Sequence, residues 1–194
     1  MISGHFPILI REEDLSLELF PMINKCYEVR KSFTDYKPVW RCNTFTSLNS
    51  SYNLKTDLTF MELINQAQSL VNQFAKECFG INDKFVYCDD AWFNISYPGD
   101  YQEYHMHPDS HFSLVYYLKI PKDSGNFVIV PTSYFTDSYP LPSDSNNIGN
   151  ATSFSIEPKE NKIIIFRSNV NHMAEVNKSS DERISISMNF RYSK

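Results

Sequence analysis

Apolar residues in the first half of the chain recur at the three- and four-residue spacing that is typical of helices. Residues 13–31 predict one helix, with Pro21 as a candidate break. In a second and stronger segment, Thr59 and Glu62 have the spacing of a capping box, and Gly80 is well placed to end the helix. Its apolar stripe consists of Phe60, Ile64, Ala67, Val71, Phe74 and Cys78. This pattern predicts a helix near residues 59–79.

From Phe85 onward the pattern changes to short runs rich in β-branched and aromatic residues, which are typical of strands. Strands are predicted at 85–97, 101–106, 112–120, 126–131, 153–156, 162–167, 172–176 and 183–192, with a further short one at 40–45. The predicted fold class is mainly β with N-terminal helices (α+β), a double-stranded β-helix or jelly-roll barrel backed by helices. We expect a single domain, 1–194, with a helical support region at 1–84 and the barrel at 85–194.

One segment of the second half breaks this series of strands. Residues 132–152 are polar, contain Pro140, Pro142 and Gly149, and are too long for a hairpin loop. The segment is a candidate lid or substrate loop, in which Tyr134, Phe135 and Tyr139 could contact a substrate. A disordered insertion explains the same composition equally well.

Composition excludes several classes of function. The 194 residues carry a net charge of -5 without a run of lysine or arginine, which argues against a nucleic-acid partner. No run of 18 apolar residues and no signal-peptide pattern occurs, so no membrane association is expected. The four cysteines lack a C-x-x-C pairing and are expected to be reduced, mostly buried thiols of a cytosolic protein.

Histidines and a carboxylate alternate in one short run of the chain. His105, His107, Asp109 and His111 would share one face if residues 104–111 were extended, and His172 follows much later. Three such ligands on one face, with open positions opposite, suit Fe(II), Mn(II) or Zn(II). The alternative is a strand end that faces solvent. The run predicts a metal site.

The last predicted strand separates polar from apolar residues. Arg183, Ser185, Ser187 and Asn189 alternate with Ile184, Ile186, Met188 and Phe190, so the polar face would point into the barrel. A buried arginine needs an anion, because an unpaired buried charge is very costly. A dicarboxylate ligand could supply that anion through a bidentate contact. An internal salt bridge with Glu103 or Asp109 would serve equally well.

Several short motifs between residues 91 and 190 occur in an order that resembles a known family. They are A-W-F-N at 91–94, Y-P-G-D-Y at 97–101, H-M-H-P at 105–108, S-L-V-Y-Y-L at 113–118, I-F-R-S at 165–168, His172, and R-I-S-I-S-M-N at 183–189. The set is similar to the Fe(II)- and 2-oxoglutarate-dependent oxygenases, and more narrowly to a bacterial and phage family with a His-x-His-Pro motif. The resemblance implies a double-stranded β-helix, Fe(II), and 2-oxoglutarate as the co-substrate. It also implies a cytoplasmic enzyme, in a bacterial or phage-infected cell, that hydroxylates an unknown substrate.

The resemblance also implies roles for individual residues. His172 corresponds to the distal iron ligand, and Arg183 to the clamp for the far carboxylate of 2-oxoglutarate, assisted by Ser185. Tyr117 and Asn94 are further candidate contacts to the co-substrate. The proximal ligands are His105 and His107 if the His-x-His-Pro register applies. The usual His-x-Asp motif of the superfamily would instead select His107 and Asp109.

The sequence departs from the family pattern at three positions. Leu114 replaces a glycine, Arg167 replaces a proline, and Asn161 stands where glycine often opens a strand. Two other classes of function stay open beside the oxygenase: a cupin-like module that binds a metal or small acid without turnover, and a structural jelly roll. The pairing of His172 with Arg183 favours the oxygenase, because a cupin needs no carboxylate clamp.

Overall fold

A computed structural model describes residues 7–34, 37–38, 41–48, 50–130 and 151–192. Within these residues the chain forms two helices, α1 (Leu19–Ser32) and α2 (Met61–Phe79). It also forms ten strands, β1 (Ile10–Asp14), β2 (Phe45–Thr46), β3 (Val86–Ser96), β4 (Gln102–His105), β5 (Phe112–Lys119), β6 (Phe127–Val130), β7 (Phe154–Ile156), β8 (Lys162–Arg167), β9 (Asn171–Ala174) and β10 (Arg183–Tyr192).

The strands form two antiparallel sheets. The larger sheet has the order β1-β8-β5-β10-β3-β2, and the smaller has the order β4-β9-β6-β7. The sheets pack face to face through a cluster of buried side chains that both contribute, including Tyr117 and Phe166 from the large sheet and Phe127 and Ile129 from the small one. This arrangement is the predicted double-stranded β-helix.

The helices cover the outer face of the large sheet. In β10, Ile184, Ile186, Met188 and Phe190 belong to one core together with Leu63 and Val71 of α2. Their neighbours Arg183, Ser185, Ser187 and Asn189 line a pocket between the sheets. The predicted division of β10 into an apolar and a polar face is therefore confirmed, because side chains alternate across a strand.

Both predicted helices occur, with corrections at their N-terminal ends. Residues 13 and 14 belong to β1, and α1 begins only at Leu19, so Pro21 lies in the first turn, where its missing N–H costs no helical hydrogen bond. The predicted capping box at Thr59 is wrong. A 3₁₀ turn at Leu58–Phe60 precedes α2, and the Asp57 side chain accepts a hydrogen bond from the Thr59 N–H. Gly80 ends α2 in the left-handed conformation, as predicted.

The eight strands predicted after Phe85 are all present, with ends that differ by at most two residues. Strand β1 was not predicted because four of its five residues are charged. It lies at the edge of the large sheet, where these side chains reach solvent and Lys162 pairs with Glu12 at 2.9 Å. The short strand predicted at 40–45 is the two-residue β2, and Trp40 lies outside the described residues.

Three further expectations concern the rest of the chain. All four cysteines are free thiols, but only Cys26 is buried, so the expectation of mostly buried thiols is wrong. The proposed lid at 132–152 lies almost entirely outside the described residues, together with Tyr134, Phe135 and Tyr139. None of the described helices is long and apolar enough to cross a membrane.

Candidate metal centre

Three histidines from the small sheet and its edge converge inside the barrel. His105 ends β4 and lies opposite His172 of β9 in the strand register, while His107 follows two residues after His105. One ring nitrogen from each of the three histidines can be chosen so that all lie within 4.8 Å of one another. Among the described residues, this is the one group of histidine, cysteine, aspartate or glutamate side chains close enough to hold a metal ion.

Hydrogen bonds to the main chain orient two of these imidazoles. The Nδ1 atom of His105 lies 2.8 Å from the carbonyl oxygen of Glu103, and Nδ1 of His172 lies 2.9 Å from that of Val170. A carbonyl oxygen can only accept, so each Nδ1 carries the proton and donates. Each Nε2 is then left with a lone pair for a metal, as in known histidine metal sites.

Burial keeps the three imidazoles uncharged at neutral pH. It lowers the pKa of His105 below its ordinary value, that of His107 to about 4, and that of His172 to about 3. The mutual repulsion of charged histidines lowers the last two further. Metal ligation requires neutral imidazole, so this environment favours a divalent metal over protons.

The other two residues of the alternating run do not join the cluster. The chain is not extended over residues 104–111 as expected, because β4 ends at His105 and a turn follows, in which the N–H of Ser110 donates to the carbonyl of His107. Asp109 is exposed and outside the group. His111 is also exposed, and its ring packs against Tyr192. The turn at Pro108 places the two side chains elsewhere.

Arg183 is buried at the start of β10, and none of the described residues gives it an anionic partner. Its side chain is 5% exposed, and Nη1 donates to the carbonyls of Ser124 at 2.6 Å and Gly125 at 3.4 Å. No described carboxylate lies within ion-pair distance, so the alternative of a salt bridge with Glu103 or Asp109 is not observed. Burial accordingly lowers the pKa of Arg183. An anion in the pocket would compensate the buried charge.

The pocket that contains the histidines also contains Arg183 and the other predicted co-substrate residues. Asn94, Tyr117 and Ser185 all line it. The Oδ1 atom of Asn94 is buried without a hydrogen-bond partner among the described residues. Burial raises the pKa of Tyr117, so its phenol stays protonated and can donate. Metal donors that share one pocket with a cation and polar groups fit Fe(II) and a dicarboxylate.

Sequence reasoning missed several residues of this site. Trp92 packs beside the His107 ring at 5.8 Å between centroids, and Asn189 contacts the same ring. The carbonyls of Ser124 and Gly125, which accept hydrogen bonds from Arg183, were not predicted as part of the site. The alternation along β10 had already placed Asn189 on the polar face that points into the barrel, so the sequence did indicate that this residue could belong to the site.

Comparison with protein families supports the same class of site. Residues 90–189, just over half of the chain, match the model of a family described as "Putative 2OG-Fe(II) oxygenase". The match includes all three clustered histidines and Arg183. No curated protein matches the chain.

Solved structures share the fold at low sequence identity. The chain is similar to a Pseudomonas putida prolyl-4-hydroxylase, with a TM-score of 0.62 and 16% identity over 95% of this chain and 93% of that one. It is also similar to the epimerase SnoN of nogalamycin biosynthesis in complex with Fe3+, alpha ketoglutarate and nogalamycin RO, with a TM-score of 0.60 and 11% identity over 94% and 78% of the two chains.

A third similarity is to an oxidoreductase of the 2OG-Fe(II) oxygenase family from Burkholderia pseudomallei, with a TM-score of 0.51 and 17% identity over 69% of this chain. This chain spans 57% of the length of that protein. At these identities the structures establish the fold alone, and the family match establishes the class. The chain belongs to the family of 2OG-Fe(II) oxygenases, whose cofactor is Fe(II) and whose co-substrate is 2-oxoglutarate.

Proposed function

We propose that this oxygenase is a hydroxylase, which couples the decarboxylation of 2-oxoglutarate to succinate with the insertion of oxygen into a C–H bond. The single observation that carries the site assignment is that a cluster of three neutral histidines shares one pocket with a buried arginine that has no carboxylate partner among the described residues. In this proposal His105, His107 and His172 bind Fe(II), and Arg183 binds the far carboxylate of 2-oxoglutarate. Asp109 takes no part.

The chain's own groups bind and orient the reactants. When bound, Fe(II) and 2-oxoglutarate supply the activation of dioxygen and the electrons for the oxidation. The guanidinium of Arg183 is already held on one side by two main-chain carbonyls, so its remaining N–H groups present a fixed fork to a carboxylate. Ser185 and Tyr117 add hydroxyl groups on the same side of the pocket, and Asn94 adds a carboxamide.

Apolar side chains keep water away from the reacting centre. Phe166 packs against the His172 ring at 4.7 Å between centroids, and Phe127 lies 5.4 Å from it. Both belong to the core between the sheets. Low local polarity strengthens the attraction between Arg183 and a bound carboxylate.

The three-histidine donor set has an electrostatic consequence. Neutral imidazoles leave the 2+ charge of the metal uncompensated, whereas a set with one carboxylate would reduce it to 1+. One carboxylate of the 2-oxoglutarate dianion would lower the net charge at the metal to 1+, and the other would compensate the charge of Arg183. We therefore expect the metal to strengthen the binding of 2-oxoglutarate, and the co-substrate to strengthen that of the metal, by the same factor.

The proposed co-substrate site is tested by Arg183→Lys. Lysine keeps the positive charge but loses the planar fork, so we expect the KM for 2-oxoglutarate to rise by roughly tenfold or more while metal binding is unchanged. Formation of succinate without a prime substrate is a suitable assay, because it needs no knowledge of that substrate. Arg167→Lys is the matched control, since Arg167 lies over the rings of Phe79 and Phe112, outside the pocket.

Two results would contradict the proposal. If the wild-type protein binds Fe(II) but neither binds nor decarboxylates 2-oxoglutarate, the chain is a cupin-like binding module. If Arg183→Lys and Arg167→Lys have the same KM as the wild type, Arg183 does not bind the co-substrate. The prime substrate itself would be sought by adding candidate molecules and measuring stimulation of succinate formation.

A further inference from the structure

A closed ring of hydrogen bonds includes the main-chain N–H and the Nδ1 atom of His107. The N–H of His107 donates to the carbonyl of Ser168 at 2.8 Å. The hydroxyl groups of Ser168 and Ser113 lie 2.8 Å apart, and that of Ser113 donates to Oδ1 of Asn189 at 2.8 Å. The ring closes between Nδ2 of Asn189 and Nδ1 of His107, 3.3 Å apart.

The ring joins four separate parts of the fold. His107 follows β4, Ser113 lies in β5, Ser168 follows β8, and Asn189 lies in β10, opposite Ser113 in the register. Both serines are buried, Ser113 at 2% exposed and Ser168 at 0%. Two buried hydroxyl groups in the barrel wall are thus used to hold one carboxamide against one imidazole.

His107 differs from the other two histidines in one respect. His105 and His172 each donate from Nδ1 to a main-chain carbonyl, which fixes the proton on Nδ1 and leaves Nε2 for a metal. Nδ1 of His107 instead faces an amide nitrogen, which can only donate, so His107 must accept there and carry its proton on Nε2. In that tautomer Nε2 has no lone pair for a metal.

A rotation of the Asn189 carboxamide by 180° removes the conflict. Oδ1 then accepts from Nδ1–H of His107, Nδ2 donates to the hydroxyl of Ser113, and Ser113 donates to the hydroxyl of Ser168. Every donor again meets an acceptor, because each serine hydroxyl can reverse its direction. The proton of His107 moves from Nε2 to Nδ1, and the net charge of the ring does not change.

We propose that Asn189 is a positioning residue for His107, and that its carboxamide turns over when metal binds, so that it accepts the Nδ1 proton and leaves Nε2 to the metal. The inference rests on the proposed metal site. It assigns to a side chain on β10 the task that main-chain carbonyls perform for the other two histidines. Unlike a carbonyl, a carboxamide has two orientations, so it can satisfy His107 both with and without metal.

Metal affinity in two variants tests the role of Asn189. The aspartate of Asn189→Asp can only accept hydrogen bonds, so it favours the metal-binding tautomer of His107 before metal is added. The leucine of Asn189→Leu offers His107 no hydrogen-bond partner. With Mn(II) as an oxygen-stable probe, we expect affinity to decrease in the order Asp, wild type, Leu, with Leu roughly 10- to 100-fold weaker than wild type. Asn65→Asp, at an exposed position on α2, controls for the added charge. If Asn189→Leu binds Mn(II) as tightly as the wild type does, or Asn189→Asp binds it more weakly, the inference is overturned.

Ring-nitrogen NMR of the wild type tests the rotation without any variant. We expect His107 to carry its proton on Nε2 in the metal-free protein and on Nδ1 in the Zn(II)-loaded protein, with the Asn189 amide protons moving from the imidazole toward Ser113. A proton on Nδ1 in both states, or an Asn189 amide that keeps its contacts, would exclude the rotation. His172→Ala separates the two proposals, since retained Mn(II) affinity there would refute the metal site itself.

Discussion

At the scale of single residues, the histidines of the pocket differ from histidines on a protein surface by their burial. His172 is 6% exposed and packs against two phenylalanine rings, so protonating it would place a charge in an apolar environment. A metal at the same point would share its charge among three ligands. The pocket therefore discriminates against protons and in favour of a divalent cation.

Alanine substitutions distinguish the two candidate ligand registers. We expect His105→Ala, His107→Ala and His172→Ala each to lower Mn(II) or Fe(II) affinity by at least about tenfold, because each removes one of three ligands. Asp109→Ala should leave it unchanged, since Asp109 is exposed and outside the cluster. Isothermal titration calorimetry with the metal measures the affinity of each variant. A loss in Asp109→Ala together with normal binding in His105→Ala would select the His107 and Asp109 register instead.

The same burial predicts how the stability of the metal-free protein depends on pH. The folded-state pKa of His172 is lowered from 6.5 to about 3, and that of His107 from 6.5 to about 4. Between each lowered pKa and 6.5, the unfolded chain therefore binds more protons than the folded protein. Stability is therefore complete above pH 6.5 and is lost as the pH falls toward 3. Each such histidine lowers the free energy of unfolding by about 1.4 kcal/mol per pH unit in this window.

Urea unfolding of the EDTA-treated protein between pH 7 and pH 4 measures this effect. His172→Gln should have a smaller slope against pH than the wild type, because glutamine does not titrate. Equal slopes in the two proteins would show that His172 does not contribute. Bound metal should raise the stability without lessening the slope, since it keeps the histidines deprotonated in the folded state.

At the scale of elements, the turn between β5 and β6 supports the far end of the pocket. Gly125 has a φ of 85°, and a Cβ at this position would lie 2.5 Å from the carbonyl oxygen of Glu175. Its own carbonyl and that of Ser124 accept from Arg183. A glycine is needed here both for its backbone conformation and for the close approach of the main chain at Glu175 and Val176, just after β9. This turn holds the guanidinium of Arg183 in place.

Two glycine substitutions separate these requirements. Gly99 has a similar φ of 88°, but a Cβ there would meet no atom within 4 Å. Gly99→Ala should therefore cost only the backbone strain, about 1–2 kcal/mol of the free energy of unfolding. Gly125→Ala should cost more and should also raise the KM for 2-oxoglutarate, because the carbonyls that hold Arg183 must move. Equal effects of the two variants on stability and on KM would contradict this account.

At the scale of the whole molecule, we propose that the N-terminal region and the barrel fold as a single domain. Strands β1 and β2 belong to the N-terminal region but lie at the two edges of the large sheet. The helices cover an outer face of that sheet whose core includes Phe93, Ile186 and Phe190. The region at 1–84 is therefore part of the sheet as well as its support.

A fragment containing only residues 85–194 tests whether the barrel can fold without the N-terminal region. It would expose the apolar outer face of the large sheet and the strand edges that β1 and β2 occupy, so we expect it to aggregate or to lack cooperative unfolding. Circular dichroism during thermal unfolding, with the full chain as reference, measures the difference. A soluble fragment with a cooperative transition would mean that the barrel is a separate folding unit.

Local patterns in the sequence were sufficient for most of the secondary structure. The stripe from Ile64 to Phe74 and the strict alternation in β10 predicted α2 and the two faces of that strand, because helical and extended periods differ and both depend only on neighbouring residues. The highly charged β1 was not recognised, because an edge strand beside an apolar sheet can keep polar side chains in solvent.

The sequence by itself determined the fold class, the strands of the barrel, and the candidate set that includes His172 and Arg183. Only the tertiary structure decided that His105 and His107, and not Asp109, lie beside His172, because a turn after His107 ends the alternation that the sequence suggests. It also decided that Arg183 has no carboxylate partner among the described residues, and that Asn189 reaches His107 from β10. These contacts join residues far apart in the chain, and no local period encodes them.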